Sequence, residues 1–236
     1  MRLNTQQLSG QSDTHITWLT QYVGIHKNML TAWQSLCDAA LAQGFNLKIA
    51  SGYRSFDRQL SIWNRKFSGE LATKNKLNQT VEFTSLTDEE KVEAILVYSA
   101  LPSTSRHHWG SDIDIYADNL LPNNQKLQLE PWEYETGGPF EQLSAWLEKN
   151  SEVYGFFLPY DKDRGGVAVE PWHLSYAPIS QACLCDVNIE TLSNIIQQAD
   201  ILGKKAILAK LPYIFSQYIS NIKSAEFSVI TTNKRP

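Results

Sequence analysis

Apolar residues from Met29 onward fall at three- and four-residue spacings (Met29, Leu30, Trp33, Leu36, Ala40, Leu41), and Gly44 follows them. This is the stripe of an amphipathic helix over about 26–43, closed by a glycine suited to a helix end. "FNLKIAS" then alternates apolar and polar residues and predicts a strand that ends at the turn-forming "SGYRS". "DRQLSIWNRKF" returns to helical spacing and stops near Gly69, after which residues 69–86 read as a polar loop. Thr87 and Glu90 form a capping box for the helix "DEEKVEAILVYSA", and Pro102 comes soon after its end.

"SDIDIYA" alternates again and predicts a second strand, while Leu120 to Gly138 reads as a long insertion. Pro139 suits the first turn of a helix running to about Asn150. "DKDRGGVAVEPWHLSYAP" has the form of a hairpin, with a charged Gly-Gly turn between two short strand-like runs. Beyond Pro178 the spacing is helical over about 189–202 and 204–222, with a kink expected at Pro212. Strands and helices mix without a regular βαβ alternation, which predicts an α+β fold: a small antiparallel sheet flanked by helices, plus a C-terminal helical extension. A single domain over 1–236 is expected, with a core over about 26–178 and the extension, about 179–236, packed on the sheet.

With 42% apolar and 11% aromatic residues the chain can fill a globular core, so disorder is excluded as its general state. A net charge of -4 argues against holding nucleic acid through a general basic field. No stretch approaches the roughly 20 apolar residues that span a bilayer. The start "MRLNTQQLSGQSDTH" lacks the apolar run of a secretory signal, so a cytoplasmic location is expected. Cys37, Cys183 and Cys185 are an odd count, read as reduced thiols without a role in chemistry.

A catalytic metal needs His or carboxylate ligands, an open position for water and a base that is not itself a ligand. The chain has five histidines. His15 and His26 have no carboxylate pattern around them and are expected on the surface or on a helix face. "SRHHWGSDID" offers imidazole and a hard oxygen ligand, Asp114. His107 and Asp114 are seven residues apart, which sets them on opposite faces of a straight strand, so the chain must bend between them, as Gly110 allows. In "EPWH", Glu170 stands three before His173, and Pro171 argues against a helix. That geometry fits a glutamate reaching over a metal that His173 binds. By spacing alone, ordinary hydrogen-bonded histidines are the better reading, since such histidines are common.

The strings go further as a resemblance. "SRHHWGSDID" fits the Ser-x-His-x-x-Gly-x-x-x-Asp motif, and "EPWH" the Glu-x-Trp-His motif, of the zinc D-alanyl-D-alanine carboxypeptidases, in the group that also holds lysostaphin-type enzymes and the hedgehog signalling domain. The upstream "SGYRSFDRQ" is similar to that family's Ser-Gly-Tyr-Arg-Ser segment, so three motifs stand in order over Ser51 to His173. The resemblance implies Zn2+ held by His107, Asp114 and His173, with His108 outside the metal sphere. It implies Glu170 as general base, Arg54 as the contact to the substrate carboxylate or developing oxyanion, and Gln59 and Ser105 as substrate-holding positions. Asp112 departs from the small residue the family usually has two before the metal Asp. It reads as solvated or as lying behind the ligands. His108 is expected in the pocket wall or on the surface, Trp109 and Trp172 as packing that shapes the site, and Tyr53, Trp63 and Trp132 as core.

What the resemblance implies about function is a zinc carboxypeptidase that removes the C-terminal D-alanine from peptidoglycan stem peptides or muropeptides. In a cytoplasmic setting precursor pentapeptides must keep their D-Ala-D-Ala end for cross-linking, which favours L,D cleavage of recovered tetrapeptides. The alternatives are a D,D-carboxypeptidase or dipeptidase, a phage-type endopeptidase, and a zinc-binding module without turnover.

Overall fold

The computed structural model describes residues 2–225. Met1 and residues 226–236 of the expected extension lie outside the described residues. The chain runs α1 (Thr5–Leu8), β1 (Ile16–Trp18), β2 (Gly24–His26), a 3-10 turn (Lys27–Met29), α2 (Leu30–Leu41), β3 (Leu47–Ser51), α3 (Phe56–Phe67) and α4 (Asp88–Leu96). A second 3-10 turn (Arg106–Trp109) leads into β4 (Asp112–Ala117), followed by α5 (Pro131–Tyr134), α6 (Glu141–Asn150), β5 (Phe156–Phe157) and β6 (His173–Tyr176). Helices α7 (Ala177–Asp186), α8 (Ile189–Gln198), α9 (Lys204–Ala209) and α10 (Leu211–Ile214) close the described chain, with a π turn at Phe215–Ile219.

The fold is α+β, as the patterning predicts. Its sheet has four strands in the order β3-β4-β6-β5, all pairs antiparallel, and β1-β2 form a separate hairpin. Ile113, Ile115 and Leu174 of the sheet share one core with Trp33, Leu36 and Ala40 of α2 and Leu143 and Leu147 of α6. That leaves the opposite face, carrying the alternate residues Asp112, Asp114, His173 and Ser175, to a polar site. The Thr87–Glu90 capping box forms as expected.

Several expectations are corrected. The N-terminal segment, for which the spacing predicts no element, holds α1 and the β1-β2 hairpin. His15 and His26 are buried, not surface residues: their rings pack against each other, and His15 lies edge-on to Tyr53 with Nε2 3.0 Å from the His108 carbonyl. The 161–178 hairpin is also revised: residues 161–170 form no strand, and β6 pairs instead with Phe156 and Phe157 across a longer loop. The helix after Pro139 begins at Glu141. The expected helix over 204–222 breaks at Lys210, where Pro212 sits in the first turn of α10 and so starts a helix without a backbone donor there. Trp132 is not core, being 40% exposed, while Tyr53 and Trp63 are buried.

Of the C-terminal helices, α7 stays against the sheet, where the Ser175 hydroxyl donates to Ser180 Oγ at 2.7 Å, but α8–α10 do not pack there as expected. One sheet face is filled by α2 and α6 and the other is polar, so α8–α10 dock on α3 and α4. Ile196, Ile207 and Ile214 join Trp63, Val92 and Ile95 in a second core. Each fully buried aliphatic side chain stabilises this by about 1.5–3 kcal/mol. Trp63 Nε1 donates to the Leu202 carbonyl at 3.1 Å. Beyond α10, Asn221 donates to the Arg164 carbonyl at 2.9 Å, and the Lys223 amide donates to the Pro159 carbonyl at 2.9 Å. The extension thereby fastens the loop that carries Tyr160 and Glu170.

Candidate active site

Cross-strand register builds the site. Asp114 on β4 lies opposite His173 on β6, and Asp112 lies opposite Ser175, so all four share one face. Asp112 therefore lies on the ligand face, two residues from Asp114. His107 reaches the same face from the 3-10 turn, because Gly110 ends that turn at φ 66 and redirects the chain. A Cβ on Gly110 would meet Ile16 Cδ1 at 2.4 Å and the His26 amide nitrogen at 2.7 Å, so the bend depends on glycine.

His107, Asp114 and His173 each present one donor atom, all within 4.8 Å of one another. His107 Nδ1 donates to the Gly52 carbonyl at 2.9 Å, which leaves Nε2 with its lone pair, 3.4 Å from Asp114 Oδ2. His173 Nε2 lies 3.2 Å from Asp112 Oδ1, which accepts its proton, and Nδ1 faces Asp114 Oδ1 at 3.1 Å. Asp114 Oδ1 is buried, yet it has no hydrogen bond of acceptable geometry. An orphaned carboxylate oxygen beside two imidazole nitrogens whose far sides are tied down fits a cation such as zinc.

The electrostatics agree. Burial, reinforced by Arg54, lowers the pKa of His107 to about 3, so it is neutral and able to ligate. For His173 burial favours the neutral form, but the hydrogen bond to Asp112 and the facing carboxylates of Asp114 and Glu170 outweigh it and hold the pKa well above the ordinary range. That raised pKa is the mark of a centre rich in negative charge, where a metal ion would replace the proton on Nδ1. Glu170 is pushed up by burial, against the pull of His173, and its Oε2 stands 3.4 Å from His173 Nδ1. The backbone from Glu170 to His173 closes as a turn, with the His173 amide on the Glu170 carbonyl at 3.1 Å, which aims the carboxylate back over its neighbour.

Asp112 is neither solvated nor a ligand. It is fully buried, with Arg106 Nε on Oδ1 at 2.6 Å and the Ser111 hydroxyl on Oδ2 at 2.7 Å. Burial alone would raise its pKa, but Arg106 above all, with His173 and Ser111, holds it below the usual carboxylate range. Arg106 also donates to Ser175 at 2.6 Å and lies over the Trp109 ring. The charged pair thus orients His173 from behind. Asp112→Asn should lower metal affinity about 10- to 100-fold, the usual cost of losing such a support. Unchanged metal retention under chelator competition would show that Asp112 does not position His173.

A cleft of about 350 Å³ opens at this centre, lined by Arg54, Lys66, Ser105, His107, Asp114, Tyr160, Glu170 and Trp172 among others. Arg54 is locked: Nε and Nη2 donate to Ser51 Oγ at 3.3 and 2.9 Å, Nη1 to Gln59 Oε1 at 3.2 Å, and Nη2 faces Asp114 Oδ2 at 3.4 Å. Gln59 is fully buried behind Arg54, where it donates to the Ala100 carbonyl at 2.8 Å and accepts from Arg54, and it is not among the residues lining the cleft. His108 is in neither place expected for it, wall or surface. It is fully buried, with Nδ1 donating to the Arg54 carbonyl at 2.6 Å and Nε2 accepting from the Ser103 amide at 3.1 Å. Trp109 and Trp172 are packing, as expected. Two polar segments meet at the cleft, where Lys74 pairs with Glu130 and Asn78 donates to Glu130 at 2.9 Å.

Sequence reading did not identify Arg106, Lys66 or Tyr160. The signal for Lys66 was available: it stands seven residues after Gln59, on the same face of α3.

Two imidazoles, a carboxylate and a buried glutamate beside them, mounted on a small antiparallel sheet, define a metallopeptidase. The chain belongs to the VanY family of D-alanyl-D-alanine carboxypeptidases, whose model matches residues 22–179. An uncharacterized protein of Haemophilus influenzae is 41% identical over 121 residues, 50% of this chain and 92% of that one. A D-alanyl-D-alanine carboxypeptidase of Enterococcus faecalis is 30% identical over 178 residues, 74% of this chain and 56% of that one. The structure of VanYB in complex with D-Ala-D-Ala aligns with a TM-score of 0.52 and 28% identity, over 73% of this chain and 82% of that one. A VanY variant in complex with Zn(II) shares the fold, with a TM-score of 0.52 and 24% identity, over 84% of this chain and 91% of that one. Among the described residues no helix is long and apolar enough to cross a membrane.

Proposed function

We propose that this protein is a zinc carboxypeptidase that removes the C-terminal D-alanine from peptidoglycan stem peptides. The observation that carries the reading is the convergence of His107, Asp114, His173, Glu170 and Arg54 on one cleft, in a chain of this family. His107, Asp114 and His173 would hold the zinc, which when bound would supply Lewis-acid activation of water and of the scissile carbonyl. Glu170, buried and with a raised pKa, accepts the proton of the attacking water and delivers it to the leaving amine. Arg54, with most of its donors engaged by Ser51, Gln59 and Asp114, keeps one Nη1 proton for the developing oxyanion. Ser105, buried in the cleft wall, holds the peptide.

Two choices of bond suit this chemistry. L,D cleavage of a recovered tetrapeptide is the reading a cytoplasmic pool favours, since it spares precursor pentapeptides. D,D cleavage is favoured by the likeness to VanYB, which was solved with D-Ala-D-Ala. A digest of purified tri-, tetra- and pentapeptide muropeptides, with products identified by mass, separates them. We expect the tetrapeptide to lose one D-alanine and the pentapeptide to be the poorer substrate. Rapid conversion of pentapeptide to persisting tetrapeptide would establish the D,D reading instead. Internal cleavage would point to an endopeptidase, and no release of D-alanine from any of them would end the carboxypeptidase reading.

A further inference from the structure

The charges lining the cleft pair off, with one exception. Arg54 faces Asp114, Arg106 is bound to Asp112, and Lys74 is bound to Glu130. Lys66 alone among these cations has no carboxylate within 4.0 Å among the described residues. It stands in the last turn of α3, where its Nζ donates to Ser99 Oγ at 2.7 Å, and Ser99 is itself buried and in the cleft wall. An ammonium on a flexible stem keeps two further donors after that bond. Burial pulls its pKa below the ordinary lysine range, against the attraction of Glu170. A partly buried cation without a counter-charge is unfavourable unless a ligand brings one.

Arg54 does not fill the need for a carboxylate anchor. A bidentate clamp requires two parallel free N–H groups. The Arg54 fork is divided among Ser51, Gln59 and Asp114, and its orientation is set by contacts behind the cleft.

We propose that Lys66 is the residue that binds the free C-terminal carboxylate of the substrate, leaving Arg54 to the scissile carbonyl. The carboxylate completes the missing ion pair at the end of α3, and the requirement for a free C-terminus resides in Lys66. This deepens the carboxypeptidase reading and rests on it for the identity of the peptide.

The test uses the zinc-loaded protein and a pair of probes, an N-acetylated stem tetrapeptide ending in a single D-Ala as the free acid and as the C-terminal amide. Binding is measured by calorimetry in a Glu170→Gln background, so that turnover does not consume the probe. With Lys66 in place the acid should bind at least about tenfold more tightly than the amide, as a charge-assisted contact implies. In Lys66→Gln that ratio should fall close to one through weaker binding of the acid, and Lys66→Arg should restore most of it. A ratio that survives in Lys66→Gln overturns the proposal, as does equal weakening of acid and amide, which would mark Lys66 as only a tether for Ser99. The carboxypeptidase reading fails separately, if the protein with Glu170 intact releases no D-alanine while the Lys66-dependent preference for the acid persists.

Discussion

Glu170→Gln is expected to keep its metal and to lose turnover by at least about a hundredfold, the scale on which general acid-base catalysis contributes. Glutamine preserves the shape of the side chain and its place over His173 but cannot accept the proton of water. Glu170 is not needed to hold a cation, since His107, Asp114 and His173 already bring three donors within 4.8 Å. Its Oε2 is close to the centre, 3.4 Å from His173 Nδ1, and burial biases it toward taking up a proton. The check is kcat on the tetrapeptide together with metal content by plasma mass spectrometry. If the variant instead arrives without metal while His107→Ala retains it, the roles of ligand and base have been exchanged.

The second large effect is that of metal removal. Protein purified without chelator should carry about one zinc per chain, lose its activity to the background on chelation, and recover it when zinc is returned. The physical basis is the charge at the site: Asp112, Asp114 and Glu170 are all buried around His107 and His173, and among the described residues the cations within 4.0 Å of these carboxylates are Arg54, Arg106 and a protonated His173. The bare centre should therefore be less stable than the loaded one, and chelation should lower the midpoint of thermal unfolding as well. Metal-free protein whose activity resists chelation would remove the metallopeptidase reading altogether.

Each part of the chain was legible to the extent that its information is local. The helix at α2, the strand at β4 and the capping box at Thr87 rest on spacings within one element, and they form where the pattern places them. The motif residues of the site were also legible, and the need for a bend at Gly110 followed from the odd separation of His107 and Asp114 alone. His15, His26 and His108 were misplaced because their partners lie far along the chain: His15 bonds the His108 carbonyl, and His108 bonds the Arg54 carbonyl.

The amino-acid sequence by itself determined the α+β class, the family and the set of side chains able to hold a metal, because periodicity and motif spacing are properties of neighbouring residues. Only the tertiary structure decided which nitrogen of each histidine faces the centre, because Gly52 and Asp112 reach them from other elements. It also decided that Asp112 is paired with Arg106, that Gln59 stands behind Arg54, and that Lys66 has no carboxylate within 4.0 Å among the described residues. Charge pairing depends on distances of a few ångströms between side chains from separate elements. Those distances come from strand register and from the packing of α3 and α4 against the C-terminal helices, which no local pattern encodes.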